Sequence, residues 1–227
     1  HILCLITILQ FIRKFLACFS VRKVLNNIAK ETFRKSIHLC SALLPFMMTK
    51  ARVQVVVFLI FILAFYCASE FLRLSGRDVF LVSMITRTAA RKRDENKFVL
   101  GPVTLVVGIL TATFLWYPVP AAIGIYALAF GDGLASLSGK LFGKVKIPLT
   151  DGKTVAGSLT CFAAIFISTY LALYFSTEMR YGINITYISL LIASVGMLIE
   201  VLPLKDLDNI VIPVVLGGLA QLQLFAM

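Results

Sequence analysis

The sequence predicts an all-α polytopic membrane bundle of about seven transmembrane helices with an interfacial N-terminal helix. Hydrophobic residues make up 59% of the 227 residues, above the roughly 45–50% apolar share of soluble domains. The apolar residues form blocks close to the ~20 residues that a helix needs to cross hydrocarbon. The period-two alternation of a membrane barrel is missing, and lipid requires backbone polar groups to be satisfied within a segment, which favours helices.

The elements follow in chain order. Residues 1–30 predict an interfacial or partial membrane helix, because the apolar stretch 1–19 contains Arg13 and Lys14. Residues 31–227 predict a single membrane-embedded domain. Within it, the apolar blocks predict helices at about 36–49, 53–72, 100–116, 119–139, 154–175, 185–202 and 209–226.

Positive charge is distributed unevenly along the chain, whose formal net charge is +11. When the predicted spans are threaded alternately, one side keeps only Lys50, Arg52 and Arg180, and the other side holds nearly all remaining Lys and Arg. The positive-inside bias therefore predicts a multi-pass membrane protein with its basic face in the cytoplasm. Such a face attracts anionic headgroups or nucleotides. No RNP, zinc-finger or helix-turn-helix pattern is present, so a nucleic-acid partner is not expected.

The first polar cluster contains Glu31, Arg34, Lys35 and His38, whose i, i+3, i+4 and i+7 spacing places them on one helix face. Interfacial ion pairing explains the first three without any chemistry. His38 lies about one turn into a predicted span, where a polar ring needs a partner. Glu70 and Arg73 are spaced i, i+3, and we expect a structural pair there.

The second feature is the glycine-rich segment 131–144, with a continuation at 152–158. It is not a P-loop, because the glycine spacing is one residue too long and Leu141 replaces the hydroxyl residue. It is not a dinucleotide fingerprint either, since Ser136 occupies the third glycine position. Small-residue helix packing explains the glycines but not Asp132 or the lysines. This segment therefore predicts a phosphate site beside a membrane.

A further cluster, from Glu200 through Lys205 to Asn209, precedes the last apolar span. Asp208 or Asn209 can serve as a helix N-cap. Carboxylates at Asp206 and Asp208 can also ligate Mg²⁺, which accepts one or two carboxylates together with phosphate oxygens. Both interpretations remain open from the sequence.

Together these motifs resemble the family of CTP-dependent polyprenol and lipid kinases that includes dolichol kinase, phytol kinase and the yeast-type diacylglycerol kinase. The resemblance covers about residues 31–215. It is carried by Glu31-x-x-Arg34-Lys35-x-x-His38, Gly131-Asp132 with Ala135-Ser136, Gly139, Phe142-Gly143-Lys144, Lys153-Thr154, Gly157-Ser158, and Asp208-Asn209 with Pro213. One residue departs from the family pattern: Ala156 stands where a glutamate is usual.

The resemblance implies a kinase that transfers the γ-phosphate of CTP to the hydroxyl of a lipid alcohol, either diacylglycerol or a polyprenol- or phytol-type alcohol. Mg²⁺ or another divalent cation is the implied cofactor and CTP the co-substrate. The expected catalytic residues are Asp132, His38, Lys35 and Arg34. The expected metal ligands are Asp132, Asp206 and Asp208. The expected nucleotide-binding residues are Gly131, Gly133, Ser136, Gly139, Lys140, Lys144, Lys153, Thr154, Gly157, Ser158 and Asn209.

Two other functions are alternatives at this stage. Phosphatidate cytidylyltransferases share a similar Asp-to-Lys-Thr stretch, so cytidylyl transfer to a lipid phosphate is the alternative enzyme. A small membrane transporter is the alternative of another class, with His38, Glu70 and Glu200 along a substrate path. The concentration of polar residues at one face argues against a transporter.

Overall fold

The structure is a computed structural model that describes residues 30–77, 97–148, 150, 152–176 and 184–225. The interfacial helix predicted for residues 1–30 lies outside the described residues except for its last residue. The described helices are α1 (30–40), α2 (Leu43–Leu74), α3 (Gly101–Leu115), α4 (Pro118–Tyr126), α5 (Gly133–Phe142), α6 (Val155–Tyr174), α7 (Ile185–Val201) and α8 (Asp208–Phe225). No strand occurs in these parts of the chain, where a single isolated bridge joins Lys146 and Thr154.

The helical fold class is confirmed. Four continuous helical segments are long and apolar enough to cross a membrane: Leu43–Leu74, Pro118–Phe142, Val155–Tyr174 and Lys205–Phe225. Two shorter apolar helices, α3 and α7, pack among them. The chain is thus an all-α membrane protein.

The first two predicted spans differ in detail from the expectation. A turn at Ser41 and Ala42 divides the predicted span 36–49 between α1 and the start of α2. The predicted break at 50–52 is present as a kink, where Ala51 has the non-helical angles φ −146° and ψ 54°. The Ser41 hydroxyl donates to the carbonyl oxygen of His38, a local bond that competes with helix continuation.

The central segment, Pro118–Phe142, is the most buried of the four. Pro118 begins α4, where a missing N–H and a fixed φ are tolerated. Between α4 and α5 the backbone forms a π-helical segment, Ala127–Asp132, so one turn is wider than an α-helical turn. Asp132 is the last residue of this wide turn, a type of irregularity that is frequent at functional sites.

Close packing fixes the other helices around this central segment. A Cβ atom at Gly124 would overlap the backbone of Pro213, so α4 and α8 approach each other through a glycine. Helix α6 packs against α5 on one side and α7 on the other. The side chains of Leu128, Ile165 and Leu216 are completely buried between them. This packing brings the ends of α1, α5, α6, α7 and α8 together at one end of the bundle.

The predicted Glu70–Arg73 pair is structural. Glu70 is completely buried, and both of its carboxylate oxygens accept hydrogen bonds from Arg73, at 2.8 and 2.9 Å. The backbone N–H of Val99 also donates to Glu70, at 2.9 Å, and Arg73 donates to the carbonyl oxygen of Lys97. The pair therefore joins the end of α2 to the segment that leads into α3.

Candidate active site

A polar cavity of about 350 Å³ lies at the end of the bundle where these helix ends meet. Most of the site residues predicted from the sequence line it. These are Arg34, Lys35, Asp132, Ser136, Gly139, Lys140, Lys153, Thr154, Gly157 and Asp208. Four segments that are far apart in the sequence therefore line one cavity. This arrangement agrees with the prediction that they lie on the same face of the membrane bundle.

Asp132 lies at the inner end of this cavity and is almost fully buried. Its Oδ2 atom is 2.5 Å from Lys35 Nζ and 3.2 Å from His38 Nδ1. The His38 nitrogen is buried and makes no aligned hydrogen bond to any group in the described structure. Lys35 and His38 are one turn apart on α1, and both side chains therefore face the same carboxylate.

Glu31 connects α1 to α5. Its carboxylate accepts bonds from Arg34 at 2.5 Å, Ser136 at 2.6 Å and Lys140 at 2.8 Å. Burial alone would raise the pKa of Glu31, but the Arg34 guanidinium and the bonds from Lys140 and Ser136 outweigh it and lower the pKa to about 2. Glu31 is therefore a fixed negative charge that holds two of the cavity's cations in place.

Lys153 is held by Glu200, which lies at the end of α7. The distance from Lys153 Nζ to Glu200 Oε1 is 2.6 Å, and Ser158 donates to the other carboxylate oxygen at 3.2 Å. Burial lowers the pKa of Lys153, but the Glu200 carboxylate more than offsets this, and Asp132 and Asp208 add to the net rise. Lys153 is therefore a permanent cation beside two further carboxylates.

Asp206, Asp208 and Asn209, the predicted site residues around the start of α8, have different surroundings. Asp208 lines the cavity, and its Oδ1 accepts the backbone N–H of Asn209 at 2.9 Å. Asn209 is buried and donates to Thr104 Oγ1 at 2.9 Å, so its side chain joins α8 to α3. Asp206 is not among the described residues that line the cavity.

Two of the three predicted metal ligands, Asp132 and Asp208, line the cavity. Mg²⁺ accepts one or two carboxylates together with phosphate oxygens. Within the described part of the chain, no group of three metal-ligating side chains converges. The donor set thus fits a hard cation that arrives with a phosphate, and Asp206 as a third ligand stays a prediction.

The remaining predicted residues lie outside the cavity lining of the described structure. A Cβ atom at Gly131 would come within 2.7 Å of Ile165, and one at Gly133 within 3.3 Å of Leu39, so both glycines allow close helix packing. Ser158 reaches the site through Glu200. Lys144 is exposed beyond the end of α5. Contacts of these residues with a nucleotide stay predictions.

Thr154, Gly139 and Gly157 form the edge where α5 meets α6. Thr154 is the N-cap of α6, and its Oγ1 accepts the N–H of Gly157 at 3.2 Å. A Cβ atom at Gly139 would lie 2.9 Å from that same oxygen. The glycines therefore let the start of α6 approach α5 closely.

Glu31, Glu200 and Lys205 line the cavity but were not among the catalytic, metal-binding or nucleotide-binding residues predicted for a kinase; Glu200 was placed only on the substrate path of the transporter alternative. Glu200 carried a signal, because an acidic side chain at the end of a long apolar helix needs a buried partner. Glu31 could have been predicted as a site residue, because it is the first residue of the polar motif on α1. Nothing in the sequence marks Lys205 apart from its neighbours.

A second cavity, of about 750 Å³, is mainly apolar. Its lining includes Phe46, Ala122, Tyr126 and Leu171. None of the predicted site residues is among the described residues that line it. The predicted site residues that line a cavity therefore all line the smaller, polar one.

Comparison with known proteins identifies relatives at moderate identity. The chain is 30% identical to phytol kinase 1, chloroplastic, of Arabidopsis thaliana, over 83% of this chain and 65% of that protein. It is 29% identical to the chloroplastic farnesol kinase of the same plant, over 60% of this chain and 46% of that one. It is 32% identical to the phytol kinase of Synechocystis sp., over 48% of this chain and 47% of that one.

The chain therefore spans about two thirds of the first of these relatives and about half of the other two. No family model matches it, and no solved structure matches it. The family resemblance predicted from the motifs is confirmed, since the homologues carry the names phytol kinase and farnesol kinase.

Proposed function

We propose that this homologue of phytol and farnesol kinases transfers the γ-phosphate of CTP to the hydroxyl of a prenol-type lipid alcohol. The observation that carries the proposal is the convergence of Asp132, Asp208 and five cationic side chains in one polar cavity of an otherwise apolar bundle. The names of the relatives support a prenol acceptor. They lend no support to diacylglycerol, the other acceptor expected from the sequence.

Phosphoryl transfer needs mainly correct positioning and cations around the developing charge. Arg34 and Lys35 from α1 and Lys153 from the segment before α6 supply such cations to the cavity. Each is held by a carboxylate within 2.6 Å, which fixes its direction before the nucleotide arrives. Charged groups that are already in position lower the free energy needed to reorient them around the transition state.

Asp132 and Asp208 are the residues that would hold a divalent cation. Mg²⁺, when bound, neutralises charge on the nucleotide phosphates and orients them. Lys35 occupies the Asp132 carboxylate in the structure described here, at 2.5 Å. Its flexible side chain can exchange that carboxylate for a phosphate oxygen.

The proposal assigns the proton to the pair of Asp132 and His38: Asp132 lines the cavity, and His38, which is not among the described lining residues, has its Nδ1 3.2 Å from the Asp132 carboxylate. In the proposed step, the lipid hydroxyl oxygen forms a bond to the γ-phosphorus and the bond to the β-phosphate bridging oxygen breaks. CDP leaves, and the hydroxyl proton passes to His38 or to Asp132. The buried His38 nitrogen, which lacks an aligned partner, supports a role in proton transfer.

The experiment is phosphorylation of phytol, farnesol and diacylglycerol by the purified protein with Mg²⁺ and labelled CTP. We expect γ-label in the prenols and a loss of at least about a hundredfold in kcat for Asp132→Asn. An unchanged rate in that variant would refute the assigned site. In a parallel assay with the matching lipid phosphates as acceptors, incorporation of label from the α-position with release of pyrophosphate would indicate cytidylyl transfer instead. Substrate flux into liposomes without CTP would indicate a transporter.

Nucleotide choice is tested in the same assay. We expect CTP to support the reaction better than ATP, GTP or UTP when each is supplied at equal concentration. A higher kcat/KM with ATP would keep the kinase and overturn the CTP part of the proposal.

A further inference from the structure

Lys205 differs from the other cations that line the polar cavity in having no ion-pair partner among the described residues. Arg34 and Lys140 both contact Glu31, Lys35 contacts Asp132 and Lys153 contacts Glu200, at 2.5 to 2.8 Å. Among the described residues, Lys205 is the lining cation without an ion pair or side-chain hydrogen bond. An anion that enters the cavity can bind Lys205 without displacing a carboxylate from it.

The backbone at Lys205 is also unusual. Its φ is +57°, the one positive φ of a non-glycine residue in the described parts of the chain. This left-handed conformation is sterically unfavourable for a residue with a Cβ, and strained residues of this kind cluster at functional sites. Lysine is neither glycine nor asparagine, the residues that adopt it with least cost.

Local bonds hold the segment in this conformation. The N–H of Leu204 donates to the carbonyl of Leu202 at 2.9 Å, and the N–H of Leu207 donates to that of Leu204 at 3.1 Å. Lys205 opens the short 3₁₀ turn Lys205–Leu207, which leads directly to Asp208. The turn therefore places one uncommitted cation beside a carboxylate that lines the same cavity.

We propose that Lys205 binds the phosphates of the nucleotide co-substrate and supplies affinity for them that the paired cations do not. This inference rests on the proposed nucleotide-dependent reaction and adds a residue to its binding site. The carboxylate partners of the other four cations reduce the net charge that those cations offer to a phosphate. Lys205 offers its full charge, so it should govern nucleotide affinity more than the rate of the chemical step.

The test compares equilibrium binding of CTP with Mg²⁺ to the purified full chain and to four variants. Lys205→Asn and Lys205→Gly both tolerate the left-handed backbone and remove the charge, whereas Lys205→Arg keeps the charge. Lys146→Asn is the control, because Lys146 is an exposed lysine that does not line the cavity. We expect Kd for CTP to rise about tenfold to a hundredfold in the Asn and Gly variants, and to stay within about threefold of wild type in Lys205→Arg and the control.

Steady-state kinetics and thermal melting distinguish an effect of the substitution on CTP binding from an effect on the stability of the protein. The KM for CTP should rise in Lys205→Asn, while the KM for the prenol stays unchanged. The Tm of Lys205→Gly should equal or exceed that of wild type, since glycine removes the steric conflict. Wild-type Kd in Lys205→Asn would overturn the inference and leave the proposed kinase intact. Absence of both CTP binding and prenol phosphorylation in the wild type would overturn the two together.

Discussion

At the scale of single residues, the polar cavity contains many charged side chains, and most of its cations are each paired with a carboxylate. Arg34, Lys35 and Lys153 are each paired, and they line a space of about 350 Å³. Burying an unpaired charge in a low-dielectric region is costly, so each buried cation of the site is accompanied by a carboxylate. These pairs hold the cations of the cavity in fixed positions without a bound ligand.

The first prediction concerns Glu31 and pH. Its pKa in the folded protein is about 2, below that of an ordinary glutamate, so its contribution to stability is complete above pH 5 and is lost as pH falls through that folded pKa. Glu31→Gln should therefore have a lower Tm than wild type at pH 7. The difference should shrink steadily between about pH 4 and pH 2. A difference that is constant over this range would show that charge on Glu31 is not what stabilises the contact.

The second prediction concerns Glu200. Glu200→Ala removes the partner of Lys153 and of Ser158, and we expect a loss of about 1–3 kcal/mol in unfolding free energy. Glu200→Gln is the matched variant, because its amide oxygen still accepts one bond. It should lose less stability than Glu200→Ala, as measured by denaturant titration in detergent. Equal losses would show that the negative charge of Glu200, which both variants lack, accounts for the effect, rather than the packing and the hydrogen bond that Gln retains.

Residue identities allowed most of the cavity to be predicted but not the pairing within it. Asp132, Lys153 and Asp208 were predicted to face one end of the bundle, and they do. The side chain of Asn209 instead bonds Thr104. Which carboxylate a lysine contacts depends on how helices distant in sequence approach each other, and spacing along one helix carries no information about that approach.

At the scale of elements, the positions of the helices could be predicted from hydropathy, whereas the π-helical irregularity in the backbone could not. The break near Ala51 was predicted because polar residues interrupt two apolar blocks. The π-helical segment Ala127–Asp132 had no sequence signal, since its residues are ordinary helix formers apart from Gly131. Tertiary packing selects such a wide turn, and local preference does not reveal it.

The third prediction tests how tightly this element is packed. A Cβ atom at Gly131 would lie 2.7 Å from Ile165, a completely buried side chain, so Gly131→Ala should destabilise the protein by about 1–3 kcal/mol. Gly101→Ala is the control, because a Cβ atom there meets nothing within 4 Å. Thermal melting of the two variants in the same detergent measures the contrast. A Tm unchanged from wild type in Gly131→Ala would mean that α6 yields easily at this contact.

At the scale of the whole molecule, polar chemistry is confined to one end of an apolar bundle. The Lys146–Thr154 bridge lies at the end that holds the polar cavity, and the junction of α3 and α4 at Tyr117 lies at the other. A co-substrate that is charged and an acceptor that is apolar can therefore meet at the edge of the membrane. The positive-inside bias predicts that this edge faces the cytoplasm.

The fourth prediction concerns that orientation. In a cysteine-free background, Lys146→Cys and Tyr117→Cys both place a thiol at an exposed position. A membrane-impermeant maleimide should label Lys146→Cys from the cytoplasmic side and Tyr117→Cys from the opposite side. Labelling of both from one side would contradict the alternate threading of the spans. Reversed labelling would keep the bundle and invert its orientation.

The π-helical segment Ala127–Asp132 also determines in which direction the later side chains of the central helical segment point. A π-helical turn contains one residue more than an α-helical turn, so this segment accommodates a residue that an ordinary helical turn would not. If the same residues continued as an α-helix, every later residue of α5 would be rotated by about 100° around the helix axis, and Asp132 would turn away from Lys35 and His38. The wide turn is therefore a requirement for the site in addition to the identity of its aspartate.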